Sequence, residues 1–151
     1  MIGNGIGNEV SNALVGDGYC NDELNIAECN FDGGDCCGHC ETITITLENN
    51  AQAAQGSREG IYHNSSLVNG KPSWTSTSQA IWYNQDYDNW NVGSLDDIGT
   101  STGGMKSDSA NGCPFDIASE EWNYWYNDVW TSAGPNEIKL QCLKGNFPRY
   151  Q

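Results

Sequence analysis

The chemistry-bearing residues crowd into VGDGYCNDELNIAECNFDGGDCCGHC, residues 15–40. This stretch holds five of the chain's seven cysteines and six acids, with no lysine or arginine. Packed without a cation, such carboxylates repel one another. Calcium takes six to eight hard oxygen ligands, and short acidic side chains on a turning backbone supply them. Asp17 sits between two glycines, and Asp32 and Asp35 flank Gly33 and Gly34, which let the backbone curl so that both carboxylates turn inward. Asp22, Asn21 and Asn30 are further oxygen donors nearby. Zinc is the rival ion, with Cys36, Cys37, His39 and Cys40 as ligand types. However, adjacent cysteines do not fit the usual zinc spacing, and hard carboxylates favour calcium.

The segment around these residues cannot hold itself together by burial. Residues 1–41 contain eight acids, no lysine or arginine and almost no large apolar side chains, so disulfides, a metal or both must staple them. IGNGIGNEVSNA, from residue 2, faintly echoes VGDGYCNDELNI, from residue 15, as a decayed repeat would.

GDGYC, then AECN, then FDGGDC resembles the Notch-type repeat, the LNR module, over residues 15–37. The resemblance implies a small extracellular fold with little secondary structure, held by disulfides and one calcium ion. It implies Asp17, Asp32 and Asp35 as side-chain ligands and the carbonyl of Tyr19 as another; Asp22 is added from spacing. It pairs Cys20 with Cys36. The family's six-cysteine pattern is incomplete here, which leaves Cys29 to pair with either Cys37 or Cys40.

Beyond residue 41 the composition changes. ITITL (43–47), QAIWYN (79–84) and EIKLQC (137–142) read as strands, separated by turn signals at VNGKP, STGG and AGPN. No segment keeps helical periodicity over three turns. Trp122, Trp125 and Tyr126 have i, i+3, i+4 spacing, but one turn decides nothing. The expected fold class is therefore mostly β: a tail over 1–14, a disulfide-rich calcium-binding LNR-like module over 15–41, and an antiparallel β-sandwich or jelly roll over 42–151. The order SLVNGKPSW, IWYN, WNVGS, GCPF and EIKLQC also resembles a β-rich module of secreted proteins, a resemblance that implies no activity.

Cys113 and Cys142, the only cysteines after residue 40, are expected to bridge. Alternation in IWYN sends Trp82 to one face and Ile81 and Tyr83 to the other. Most of the six tryptophans belong in a core. A sharper expectation places Trp122, Trp125 and Trp130 on a surface platform, flanked by Asn and Asp, where sugar rings stack. The sequon at Asn64-Ser65-Ser66 marks a glycosylation site for a chain in a secretory pathway.

A net charge of −14 with six lysines and arginines argues against nucleic-acid partners and anionic membranes. No apolar run reaches the roughly 20 residues of a membrane helix. The start, MIGNGIGNEVSNALVGDG, lacks the basic residues and continuous apolar core of a signal peptide, while the cysteines indicate an oxidising compartment. The expectation is a mature or excerpted extracellular chain. Only His39 and His63 could act as imidazole bases, and no GxSxG, HExxH or phosphate loop occurs, so no enzyme is expected. The function expected is a calcium-binding structural or adhesive protein, with copies of itself or other extracellular proteins as partners and a filament as one form of assembly. A carbohydrate-binding module is the alternative.

Overall fold

The computed structural model describes residues 2–3, 9–10, 37–38 and 40–143. Backbone contacts divide the chain into two units, residues 1–39 and 40–151. In the first, β1 (Ile2–Gly3) and β2 (Glu9–Val10) pair antiparallel, Ile2 opposite Val10.

The second unit contains β3 (Thr42–Leu47), β4 (Gly60–Asn64), β5 (Trp74–Thr75), β6 (Gln79–Asn84), β7 (Asn89–Ser94), β8 (Met105–Ser107), β9 (Trp122–Tyr126), β10 (Val129–Ser132) and β11 (Ile138–Leu143). All nine join one antiparallel sheet in the order β10-β9-β8-β7-β6-β5-β4-β3-β11. The antiparallel β expectation holds, and β3, β6 and β11 fall where alternation predicts them. The ladder is continuous, with β10 and β11 at its two ends.

A short connection dictates the shape of that sheet. Laid flat, nine strands would hold the two edges about 38 Å apart. Yet only Ala133–Glu137 separates β10 from β11, and that length of chain reaches roughly 20 Å. The sheet must therefore curl until its ends approach.

Side chains of alternate residues fill the concave interior: Ile43, Ile45 and Leu47 from β3, Trp90 and Val92 from β7, Met105 from β8, Trp122 and Tyr124 from β9. Trp74 packs at 6.1 Å from Trp90 and edge-on to Phe115. The helix α1 (Asn49–Gln55) turns Ala51 and Gln55 inward. At two turns it is too short to leave a periodic signature, so periodicity over three turns could not reveal it.

Glu137 latches the seam. Its Oε2 accepts from the Ala51 amide at 3.0 Å and the Tyr124 hydroxyl at 3.0 Å, and its Oε1 from the Gly134 amide at 2.8 Å. The Glu48 amide donates to its carbonyl. One carboxylate thus joins the helix, β9 and the closing connection.

The cysteine pairing differs from expectation. Cys142 bonds Cys40, not Cys113, and Cys40 is accordingly not the partner of Cys29. The register explains it: β11 pairs with β3, Cys142 opposite Ile43, so the residues leading into β3 lie beside the end of β11. Cys37 and Cys113 are also in disulfides. Cys37 and Cys40 are therefore not thiolates available to zinc. The Cys20–Cys36 pairing and the partner of Cys29 lie outside the described residues.

Candidate functional site: an aromatic and asparagine-lined groove

The face of the sheet opposite the core carries a polar groove, and local sequence places each wall. The β9–β10 hairpin turns on Asn127 and Asp128, both at positive φ (51° and 63°), the geometry that a two-residue loop of type I′ requires. That turn sets the register, Trp125 opposite Trp130. Because side chains alternate, Trp122 and Tyr124 point into the core while Asn123 and Trp125 point out. The two outward tryptophans meet edge to face, ring centroids 5.4 Å apart, with Trp125 42% exposed. Of the three expected platform residues the structure brings together Trp125 and Trp130. Trp122 is wholly buried, a correction that strand alternation explains: its spacing to Trp125 and Tyr126 is helical, but the segment is a strand.

Trp130 borders two adjoining clefts, as does Ser101. The first encloses about 450 Å³, within the range of small-ligand sites. Its floor is a row of buried asparagines, Asn84, Asn89 and Asn91, on paired strands β6 and β7. Asn91 Nδ2 donates to Asn89 Oδ1 at 3.0 Å, and Asn91 Oδ1 accepts from the Gly103 amide. Asn84 Oδ1 accepts from the Asp86 amide and the Ser101 hydroxyl. Tyr87, 70% exposed, stands at the rim. On the opposite wall Asn123 Nδ2 donates to Asp108 Oδ1 at 2.7 Å, and the Lys106 ammonium lies 4.1 Å from the Trp130 ring centroid. Register aligns Asn91, Lys106 and Asn123 across β7, β8 and β9.

The second cleft runs past Trp125 to Gln55 and Arg58. The segment Ser101–Gly104 divides the two clefts and presses close on β7: a side chain at Gly103 would meet Asn91 Oδ1 at 2.8 Å, and one at Gly93 would meet Gly103 Cα at 2.9 Å. Trp82, on the groove face as alternation predicts, is sealed beneath this segment and donates from Nε1 to the Thr100 carbonyl at 2.8 Å.

Titratable groups near the site are held in place. Tyr83 donates to Asp88 Oδ1 at 2.6 Å, and that bond, with burial, pushes its phenol up to about 12. Burial lowers Arg58 from its ordinary value against the opposing pull of Tyr62 and Asp97; a guanidinium nevertheless stays protonated in proteins.

The sequence reading missed Asn84, Asn89, Asn91, Lys106, Asn123 and Arg58. The Asn-x-Asn alternation of NWNVGS and the Asn-x-Trp of WNYWY carry a period-two signal that points to one shared face. The expected calcium ligands Asp17, Tyr19, Asp22, Asp32 and Asp35 lie outside the described residues. Among the described residues no three His, Cys, Asp or Glu side chains gather as a metal site. Asn64 is exposed at the end of β4. Among the described residues no helix is long and apolar enough to cross a membrane.

No curated protein and no solved structure matches the chain. Residues 11–37 match the family model of the Notch LNR domain, a domain typical of extracellular proteins, so the chain carries an LNR domain within its first unit.

Proposed function

We propose that the protein is an extracellular, calcium-binding adhesive module that attaches to carbohydrate through the groove of its β unit. The observation that carries this reading is the outward Trp125–Trp130 pair beside a floor of asparagines. Indole rings stack on the apolar faces of sugars, and fixed amide groups take up the hydroxyls around their edges. Such a site needs no catalytic group. The donor set of the LNR domain supports calcium as its ion: Asp17, Asp32 and Asp35 are hard oxygen donors set beside glycines, and Asp22 adds another. Calcium there would hold the acidic loop together by neutralising its carboxylates. Exposed Asn64 is the residue that would carry glycan on passage through a secretory pathway.

Titration of intrinsic tryptophan fluorescence with soluble oligosaccharides tests the groove. Binding should shift the emission, and Trp125→Ala and Trp130→Ala should abolish it; the absence of any response across neutral and acidic sugars refutes the reading. One observation favours a second reading, association between copies of the chain: end strand β10 exposes Val129 beside the tryptophan pair. Sedimentation with and without calcium decides it, since monomers throughout would exclude a filament.

A further inference from the structure

The chain has six lysines and arginines against twenty acids. Two of those six cations, Lys106 and Arg58, border the clefts that Trp130 joins. No carboxylate within ion-pair distance of either is found among the described residues, although acids outnumber cations more than threefold. Lys106 is steadied by the Trp130 ring rather than by an acid. The acid sharing its cleft, Asp108, is engaged by Asn123 at 2.7 Å.

Arg58 is aimed by amides. Its Nε donates to Gln55 Oε1 at 3.0 Å and its Nη1 to Gln79 Oε1, while Nη2 lies over Gly104 and donates to no described residue. Gln55 is itself fixed, donating to the Trp125 carbonyl at 2.9 Å. The guanidinium is thus oriented in advance, with donors in reserve, on a surface whose overall charge would repel an anion. Asp97 pulls on Arg58 only from beyond ion-pair distance, and two cations without a direct carboxylate partner in adjoining clefts of so acidic a chain make sense where the ligand supplies the negative charge.

We infer that the groove takes an acidic saccharide, one bearing carboxylate or sulfate groups, with Lys106 and Arg58 as the residues that select it over a neutral sugar. The inference rests on the carbohydrate reading above and narrows it. Carboxylate and sulfate share the chemistry that these cations recognise, and separate ligands distinguish them.

The full chain is titrated by tryptophan fluorescence at low salt with a neutral galactose oligomer, a galacturonate oligomer and a sulfated galactose oligomer. At least one acidic oligomer should bind about tenfold or more tightly than the neutral one, and the preference should shrink as salt rises. Which of the two binds more tightly identifies carboxylate or sulfate as the group read. Lys106→Met, which removes the charge but keeps an unbranched side chain beside Trp130, should bring the ratio of acidic to neutral affinity toward one, and Arg58→Gln should do the same. Lys139→Met, an exposed cation on β11, should leave the ratio alone. Thermal melts of each variant separate misfolding from lost selectivity. Equal affinity for all three oligomers, or a preference that survives Lys106→Met in a folded protein, overturns the inference while the carbohydrate reading stands. No binding of any oligomer overturns both.

Discussion

Removing the Glu137 carboxylate should open the seam of the curled sheet. In Glu137→Ala, three donors lose their acceptor: the Ala51 and Gly134 amides and the Tyr124 hydroxyl. Glu137 is 7% exposed and Tyr124 2%, so water replaces these bonds poorly. At the lower end of the cost of an unmet buried donor, the three together amount to about 3 kcal/mol, and breaking a buried charged network sets an upper figure of about 5 kcal/mol. For a domain of this size that corresponds to a fall in Tm of at least roughly 12 °C. Glu137→Gln keeps one acceptor oxygen but turns an amide NH2 toward donors, so its loss should be smaller, about 1–2 kcal/mol. Urea unfolding with intact disulfides, followed by tryptophan fluorescence, measures each value.

The same carboxylate gives the effect a pH signature. Burial works against its charge, but the Gly134 and Ala51 amides, the Tyr124 hydroxyl and the Asn50 amide hold it below its ordinary value. Its folded pKa is therefore lower than its unfolded pKa of about 4.3. The stability it contributes is fully present above that unfolded value and is lost as pH falls through the folded one. The stability gap between wild type and Glu137→Gln should accordingly stay constant from pH 7 to about 5 and narrow below about 4. A Glu137→Ala variant within 1 kcal/mol of wild type, or a gap that widens on acidification, would refute the latch.

Other perturbations address the remaining features. Burial and the bond to Glu137 push Tyr124 up to about 12, so its contribution, present below the ordinary phenol value of about 10, should disappear as pH rises through the folded value; Tyr124→Phe should remove that alkaline loss. Replacing Cys40 and Cys142 together by serine opens a closure spanning 102 residues and should cost about 5 kcal/mol by loop-entropy arithmetic, read in the same urea experiment. Gly93→Ala drives a methyl into the Gly103 backbone and should cost about 1–3 kcal/mol in unfolding free energy. Calorimetric titration should show calcium binding that Asp32→Asn and Asp35→Asn weaken, and a heat-silent wild type would exclude the ion.

Much of the architecture was readable from local chemistry. Period-two alternation placed β3, β6 and β11, and the turn at Asn69-Gly70 forms as the dipeptide predicts, with φ values of 54° and 85°. FDGGDC marked the LNR domain because its glycines and aspartates are adjacent in the chain, where a motif can be seen. The platform was half legible: the tryptophans were visible, but a helical spacing within a strand obscured which of them face outward. Arg58 and the asparagine floor were invisible as a set, since they come from separate segments and share only a face.

Three outcomes belong to tertiary structure alone. Cys142 meets Cys40 rather than Cys113 because β11 crosses to pair with β3, and no spacing along the chain records that crossing. Glu137 reads as the polar start of a strand and becomes a buried latch only when the sheet curls and brings α1 and β9 to it. Trp125 joins Trp130 across a hairpin, and Lys106 joins them from β8. Sequence determines what each short segment prefers, because those preferences are set by neighbours along the chain; which segments then meet depends on closing the sheet, and that is decided by contacts between residues far apart in it.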